Sequence, residues 1–298
     1  DGDDFSAICL PAVHSLVHNS VVQFHATSCR ARTGVPETLL IPLWARAQEQ
    51  SRPDPIIVDP VAQQIVAALD YDFSRFTTQR VDAENFCIRS KVMDSLITDI
   101  LRDSGPRTVI EFGPGLDTRF NRLGHLAERW IEIDFAEVIA LRERFFHADA
   151  SRQMLSGSML DQEWMDKLRG TMTAPPLFIA EGVFYFFSRP QIRDFLQRLK
   201  MEFPGSSLVF DAVSQLYLKL SNFQHPLRNS RLEFALSPEA ADIPAWDPQM
   251  SIRNYIGFGD SPWYDGMMPR FAWWKRCAVR LLRPARHAFM VVHTKFLN

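Results

Sequence analysis

Residues 107–119 read Arg107-Thr-Val-Ile-Glu-Phe-Gly-Pro-Gly-Leu-Asp-Thr-Arg119. Thr108, Val109, Ile110 and Phe112 make a short apolar, β-rich run of the kind that fills a buried parallel strand, and the run stops at Gly113-Pro-Gly115. A strand that enters a glycine turn and then a helix is a ligand site. Glycine serves there because a side chain would keep the backbone from the ligand, and because such a turn can require φ > 0. Glu111 places a negative charge at the carboxyl end of the strand.

That charge narrows the ligand. A dinucleotide fingerprint, Gly-x-Gly-x-x-Gly, would need glycine where Thr118 stands, which disfavours a nicotinamide dehydrogenase. A phosphate-cradling loop would end in Gly-Lys-Ser/Thr, and this one does not. S-adenosylmethionine, with a sulfonium, an ammonium and a ribose but no phosphate, is a ligand that can sit beside an acid. The next alternating run, Trp130-Ile-Glu-Ile-Asp-Phe135, ends in acids about 20 residues after the turn, where a Rossmann-like unit places a carboxylate for ribose hydroxyls. Asp134 is the residue expected to make that contact, with Glu132, on the same strand face, as the alternative.

The remainder of the chain reads as alternating elements. Helices are expected from Pro36 to Gln50, from Asp59-Pro60 onward, and from Asp82 to Asp103, the last bearing Arg89, which is either a surface group or an anion-binding fork. After the glycine strand, helix is expected over 117–127, strand over 130–134, helix over 135–146, strand over 153–160 and a short helix from Asp161 with Trp164 and Leu168 inward. Strands at 176–180 and 207–210 flank a helix over 190–200 and end at Glu181 and Asp211. Strand and helix thus alternate from 107 to 211, as in a parallel sheet with helices on both faces and ligands beyond the strand carboxyl ends. Glu111, Asp134, Glu181 and Asp211 all fall on that edge. Residues 212–262 look irregular and suit a lid or substrate-facing insertion, 270–276 looks helical, and 278–282 with 287–296 is expected as a final strand pair around Arg283-Pro-Ala-Arg286.

Composition excludes several classes of function. A formal charge of -2 with mixed signs gives no basic footprint for nucleic acid, and no apolar run approaches the length of a membrane span. Cys9, Cys29, Cys87 and Cys277 are scattered without metal-ligand spacing, so no metal is expected and a cytoplasmic protein with free thiols is. The apolar residues 5–17 follow three acids rather than a basic region, which argues against a signal peptide, and residues 1–35 are expected to be a poorly ordered lead-in.

Several of these pieces together resemble the leucine carboxyl methyltransferase family, within it most closely the bacterial tetracenomycin-type polyketide O-methyltransferases. They are Pro42-Leu-Trp-Ala-Arg46 with Asp54-Pro55 and Asp59-Pro60, Glu111-Phe-Gly-Pro-Gly-Leu-Asp-Thr-Arg119, Glu132-Ile-Asp-Phe135 and Ala180-Glu-Gly-Val183. The resemblance covers Glu37 to the C-terminus. It implies an α/β, Rossmann-like class I methyltransferase fold, with a mostly parallel seven-stranded sheet, an antiparallel C-terminal strand and an N-terminal helical cover. Within one domain, 36–298, it implies N-terminal helices over 36–104, a cofactor-binding core over 105–211, a substrate-facing insertion over 212–275 and a terminal strand pair over 276–298.

By the same resemblance Arg89 would grip the carboxylate of S-adenosylmethionine, Gly113 and Gly115 would line the cofactor beside Glu111, and Asp134 would hold the ribose. Leu160 and Asp161 would border the adenine, although the family's Asp-Leu-x-Asp pattern is here Ser158-Met-Leu-Asp161, and Glu181 would face the methionine end. The implied activity is O-methyl transfer to a small-molecule hydroxyl or carboxyl. A protein C-terminal carboxylate as acceptor, or a non-catalytic cofactor-binding protein, are the alternatives. Methyl transfer is an in-line displacement that needs alignment and water exclusion; a carboxylate acceptor needs no base, whereas a phenol with a pKa of ~10 does. Tyr185, Asp211 and His225 are candidate bases. Phe184-Tyr-Phe-Phe187, Trp263, Tyr264, Trp273 and Trp274 could wall a pocket for a flat acceptor, with at least half of them expected in the core instead.

Overall fold

Apolar runs that end in acids or glycines build the sheet. Its strands are β1 (Thr108–Phe112), β2 (Arg129–Asp134), β3 (Arg152–Ser156), β4 (Leu177–Ala180), β5 (Ser207–Val213), β6 (Met250–Gly257) and β7 (Phe289–Phe296). In this computed structural model the seven strands lie in the order β6-β7-β5-β4-β1-β2-β3. β1 to β5 pair in parallel, and β7 runs antiparallel to both β5 and β6. The structure describes residues 37–78, 83–105, 107–224, 232–271, 273–281 and 283–297, with the short strands Val13–His14, Gln23–Phe24 and Cys29–Arg30. Apart from those three strands, the expected lead-in over 1–35 lies outside the described residues, as does His225.

Every residue of β1, β4 and β5 is buried, which is why their sequences are continuous rather than alternating. One face carries α1 (Glu37–Gln50), α2 (Pro60–Ala68), α3 (Ser74–Thr78) and α4 (Ala83–Ser104). Leu43, Ile65, Ile88, Val92 and Ile97 join Val109 and Ile179 in that core. α5 (Arg119–Leu123), α6 (Ala136–Arg142), α7 (Gln162–Leu168) and α8 (Arg189–Glu202) complete the crossovers. Trp164, Leu168, Phe195 and Leu199 pack with Phe112 and Phe178 on the other face.

The C-terminal part departs from expectation. Residues Trp273–Leu281 are helical, so 278–282 is not a strand, and the antiparallel partner of β7 is β6 within the segment expected to be irregular. A bulge between Ile252 and Asn254 shifts the register of β6 and breaks the alternation that would have marked it as a strand. Ala278-Val-Arg-Leu281 holds one β-branched residue among good helix formers, so its propensity matches the helix.

Candidate active site

The carboxyl edges of β1 and β4 turn on three left-handed glycines, Gly113 (φ 57°) and Gly115 (φ 53°) after β1 and Gly182 (φ 72°) after β4. At Gly113 a Cβ would stand 2.6 Å from Val183 Cγ2, and at Gly182 it would press on the Arg89 guanidinium at 3.3 Å. Both turns therefore require glycine by conformation and by space. Gly113 N donates to Ile133 O at 2.8 Å and Gly157 N to Asp134 O at 2.9 Å, which fastens the ends of β1 and β3 to β2.

Asp134 closes β2. Its Oδ2 accepts from Gly115 N at 2.9 Å and its Oδ1 from Phe135 N at 2.8 Å, while burial pushes its carboxyl above the usual range. Asp161 is exposed and its Oδ2 accepts from Ser158 N at 2.7 Å. Leu160 is half-buried beside it, its carbonyl held by Arg198 at 2.8 Å. Phe135, read from sequence only as the start of a helix, is 57% exposed at this end of the edge. An aromatic ring directly after an edge carboxylate was the available signal.

A second group gathers over β4 and β5. Arg89, expected to be either a solvated or salt-bridged surface group or an anion-binding fork, is largely buried and salt-bridged within the chain: Nε donates to Glu181 Oε1 at 2.9 Å and Nη1 to Asp211 Oδ2 at 3.3 Å. Ser90 Oγ donates to the same Glu181 oxygen at 3.0 Å, and Arg119 Nη2 donates to the other. Burial alone would raise Glu181, but Arg119 and Arg89 outweigh it and hold the carboxyl below its ordinary value. Asp211 is fully buried and accepts from Gly182 N at 2.7 Å, Tyr185 Oη at 2.6 Å and Arg89; burial dominates there and raises its carboxyl. Burial likewise raises the Tyr185 phenol, with the Asp211 charge adding to it. Two of the sequence-derived base candidates therefore bond to each other, and Asp211 has three donors.

Not all of the acids at the strand ends lie at the open edge. Glu111 is 2% exposed and turned into the helix layer, where it accepts from Arg119 Nη1 at 2.6 Å and Trp130 Nε1 at 3.0 Å. Burial, opposed chiefly by Arg119, pushes it up to about 7. It braces the β1–α5 corner instead of lining the cofactor side. Glu132, the alternative to Asp134, is fully buried between Arg142 and Arg152, the latter at 2.8 Å. Both side chains lie back from the strand ends and are neutralised by arginines, Glu111 by Arg119 and Glu132 by Arg142 and Arg152.

Of the expected aromatic wall, Phe184 and Tyr264 belong to the core, Trp263 packs against it under Lys91, and Phe187 is half-buried. Phe186 is 46% exposed and Trp273 70%; the side chain of Trp274 lies outside the described residues. Leu216 and Leu220, one turn apart on the helix Gln215–Gln224 that follows β5, are also exposed. Farther along the same edge, His287 Nε2 lies 2.7 Å from Asp260 Oδ2 and its Nδ1 3.1 Å from Tyr255 Oη. This line was invisible in sequence because its members come from three segments.

A cavity of about 1090 Å³ opens elsewhere, between α4 and α5, lined in part by Asp94, Thr98, Arg122, His125 and Arg152. Arg122 is paired with Asp94 at 2.6 Å and Arg152 with Glu132, so its charges serve the scaffold, and none of the edge residues reaches it. Among the described residues no cluster of metal-ligand type occurs and no helix is long and apolar enough to cross a membrane.

The profile of the leucine carboxyl methyltransferase family matches residues 40–200. The tetracenomycin polyketide synthesis O-methyltransferase TcmP of Streptomyces glaucescens is 30% identical over 243 residues, covering 81% of this chain and 89% of that protein. The S-adenosyl-L-methionine-dependent methyltransferase dpfgK of Gibberella zeae is 28% identical over 270 residues, covering 81% and 91%. A crystal structure of a protein described as a methyltransferase from Thermobifida fusca YX superposes with a TM-score of 0.56 at 12% identity, over 90% of this chain and 100% of that one, and supports the fold. Profile, relatives and fold agree that the chain belongs to the leucine carboxyl methyltransferase family and is an S-adenosylmethionine-dependent methyltransferase.

Proposed function

We propose that the protein transfers a methyl group to an oxygen, hydroxyl or carboxylate, of a small, flat, apolar acceptor of polyketide type. The observation that carries this is the set of exposed apolar groups on the segments leaving two neighbouring strands at the sheet edge: Phe186 after β4, Leu216 and Leu220 after β5. Tyr185, Val213, Ala235, Tyr217 and Leu218 pack together beneath these two segments, so these share one mouth. Apolar surface of this kind suits a lipophilic ring system. The names of TcmP and dpfgK, one a polyketide O-methyltransferase, support the same class.

The donor set fits S-adenosylmethionine. Asp134 would accept from the ribose hydroxyls, Phe135 with Leu160 and Asp161 would border the adenine, Arg89 would pair with the carboxylate and Glu181 with the ammonium. When bound, the cofactor supplies an electrophilic methyl group on a sulfonium. The chain's residues then orient the acceptor and exclude water, contributions that can reach ~7–11 kcal/mol together. A carboxylate acceptor needs nothing more. For a hydroxyl, Asp211 is too enclosed to serve as base, and Tyr255 with His287 is better placed: Ser214 N donates to Ala288 O at 3.0 Å, which sets His287 beyond the carboxyl end of β5. The acceptor proton would pass to Tyr255 Oη as the Tyr255 proton moves to His287 Nδ1, and Asp260 would stabilise the imidazolium.

Methyl-labelled S-adenosylmethionine, a naphthol, a naphthoic acid and a peptide ending in leucine test the reading. Label is expected on one or both naphthalene compounds. Label on the peptide alone would replace the small-molecule reading by protein carboxyl methylation. His287→Asn is expected to slow methylation of the naphthol by about 100-fold or more and to leave the naphthoic acid rate unchanged. Equal effects on both acceptors would remove His287 from the proton path.

A further inference from the structure

Arg119 is fully buried, and each of its three guanidinium nitrogens donates to a carboxylate on a different element. Nε reaches Asp94 on α4 at 2.8 Å, Nη1 reaches Glu111 on β1 at 2.6 Å, and Nη2 reaches Glu181 past β4, with Asp117 at 3.6 Å. Asp94 also holds Arg122 at 2.6 Å, and Glu111 is held from its other oxygen by Trp130. Arg119 is thereby fixed from two sides before it meets Glu181. Arg89 has no comparable brace: among the described residues its carboxylate partners are Glu181 and Asp211, both at the edge, and its guanidinium otherwise rests over the Phe86 ring at 5.2 Å.

We infer that Arg119 is the positioning residue of the cofactor site, fixing Glu181 from behind so that it keeps its place and charge when Arg89 turns toward the carboxylate of the cofactor. The inference rests on the proposed roles of Arg89 and Glu181. Its physical basis is the number of anions around one cation. A ligand carboxylate arriving at Arg89 must compete with Glu181 and Asp211, and Glu181 then loses donation from Nε. A buried carboxyl left with no cation takes up a proton, and a neutral acid no longer pairs with the cofactor's ammonium group. Arg119 prevents this because it does not face the ligand and has no reason to move.

The charged and polar groups facing Glu181 are Arg89 and Ser90 on α4, Asp117 and Arg119 at the β1–α5 corner, Arg46 on α1 and Asp211 on β5. Of the cations, Arg119 opposes the effect of burial most strongly, ahead of Arg89. Its removal should therefore let Glu181 titrate upward toward neutrality, an effect that loss of packing alone would not produce.

Calorimetric titration with S-adenosylhomocysteine between about pH 5.5 and about pH 7.5, with Tm recorded for each variant, tests this. The unmodified chain is expected to bind with an affinity nearly independent of pH in that range. Arg119→Gln is expected to bind about 10- to 100-fold more weakly at pH 7 and to lose up to about tenfold more per pH unit on acidification. Arg119→Lys, which keeps one charge but cannot reach three carboxylates, is expected to fold, to stay flat with pH and to bind about fivefold more weakly. Unchanged affinity in Arg119→Lys, or a pH-independent loss in a folded Arg119→Gln, would overturn the inference and leave Arg119 a scaffold residue. If the unmodified chain bound no S-adenosylhomocysteine, the residue roles proposed for the site would themselves fall.

Discussion

At the scale of single residues, the backbone of the glycine turn makes the sharpest demand. Gly113 combines a left-handed φ of 57° with a site where a Cβ would stand 2.6 Å from Val183 Cγ2, so Gly113→Ala should cost ~1–2 kcal/mol from conformation alone and should displace the turn proposed to face the cofactor. Urea denaturation and S-adenosylhomocysteine titration on the same variant would check both effects, and normal binding would place the cofactor elsewhere. His293 makes a pH-dependent demand. It lies on β7 with Nδ1 3.0 Å from Asn254 Oδ1, and burial, helped by Lys295, Arg253 and Arg107, pushes it from 6.5 down to about 4. The unfolded chain takes up this proton first as pH falls, so stability is present above about pH 6.5 and is lost progressively toward about pH 4, by up to ~3 kcal/mol in all. His293→Gln should flatten denaturation midpoints measured across that window. An unchanged acid slope would assign the sensitivity to other groups.

At the scale of elements, one aspartate shows how a helix end and a charge network depend on the same side chain. Asp59 N-caps α2 by accepting from Ala62 N at 3.0 Å through Oδ1, while Oδ2 takes Arg46 Nε at 2.9 Å and Arg122 Nη1 at 3.1 Å. Asp59→Ala should cost about 3–5 kcal/mol, because among the described residues Arg46 is left buried with Asp117 at 3.7 Å as its remaining counter-ion. Asp59→Asn retains the cap, worth ~1 kcal/mol, and should cost correspondingly less. Equal losses by chemical denaturation would show that the cap contributes nothing here. The cap was legible as Asp59-Pro60, since capping is a local rule, but its charge partners were not, since Arg46, Thr118 and Arg122 converge only after α1, α2 and α5 pack. The same distinction explains the C-terminal part. β1, β2, β4 and β5 announce themselves through apolar runs and edge acids, whereas β6 is interrupted by a bulge, and the helix-forming composition of Ala278–Leu281 is masked by an apolar pattern that also suits a strand.

At the scale of the whole molecule, the sequence showed which residues end the strands but not which way they point. Asp134 and Glu181 stand at the carboxyl edge as expected, whereas Glu111 faces the helix layer, because Arg119 and Trp130 supply a buried counter-charge and donor that no spacing rule reveals. Arg89, Glu181 and Asp211 come from α4 and the ends of β4 and β5, so the site exists only when the sheet is assembled, and a ligand there should stabilise the fold as a unit. S-adenosylhomocysteine that binds the folded chain alone, at about 100 times its Kd, should add ~2.7 kcal/mol. For a chain of this size each kcal/mol raises Tm by ~2–4 °C, which gives an expected rise of roughly 5–10 °C. NAD should leave Tm unchanged, since the edge offers its pyrophosphate acids rather than a phosphate cradle. In Arg89→Ala the homocysteine compound should lose most of its effect while the unliganded Tm changes less, because removing Arg89 leaves Glu181 with Arg119 and Ser90 as donors. A full ligand-induced rise in Arg89→Ala would show that the ligand does not use that arginine, and the amino-acid end of the cofactor would have to lie away from Glu181.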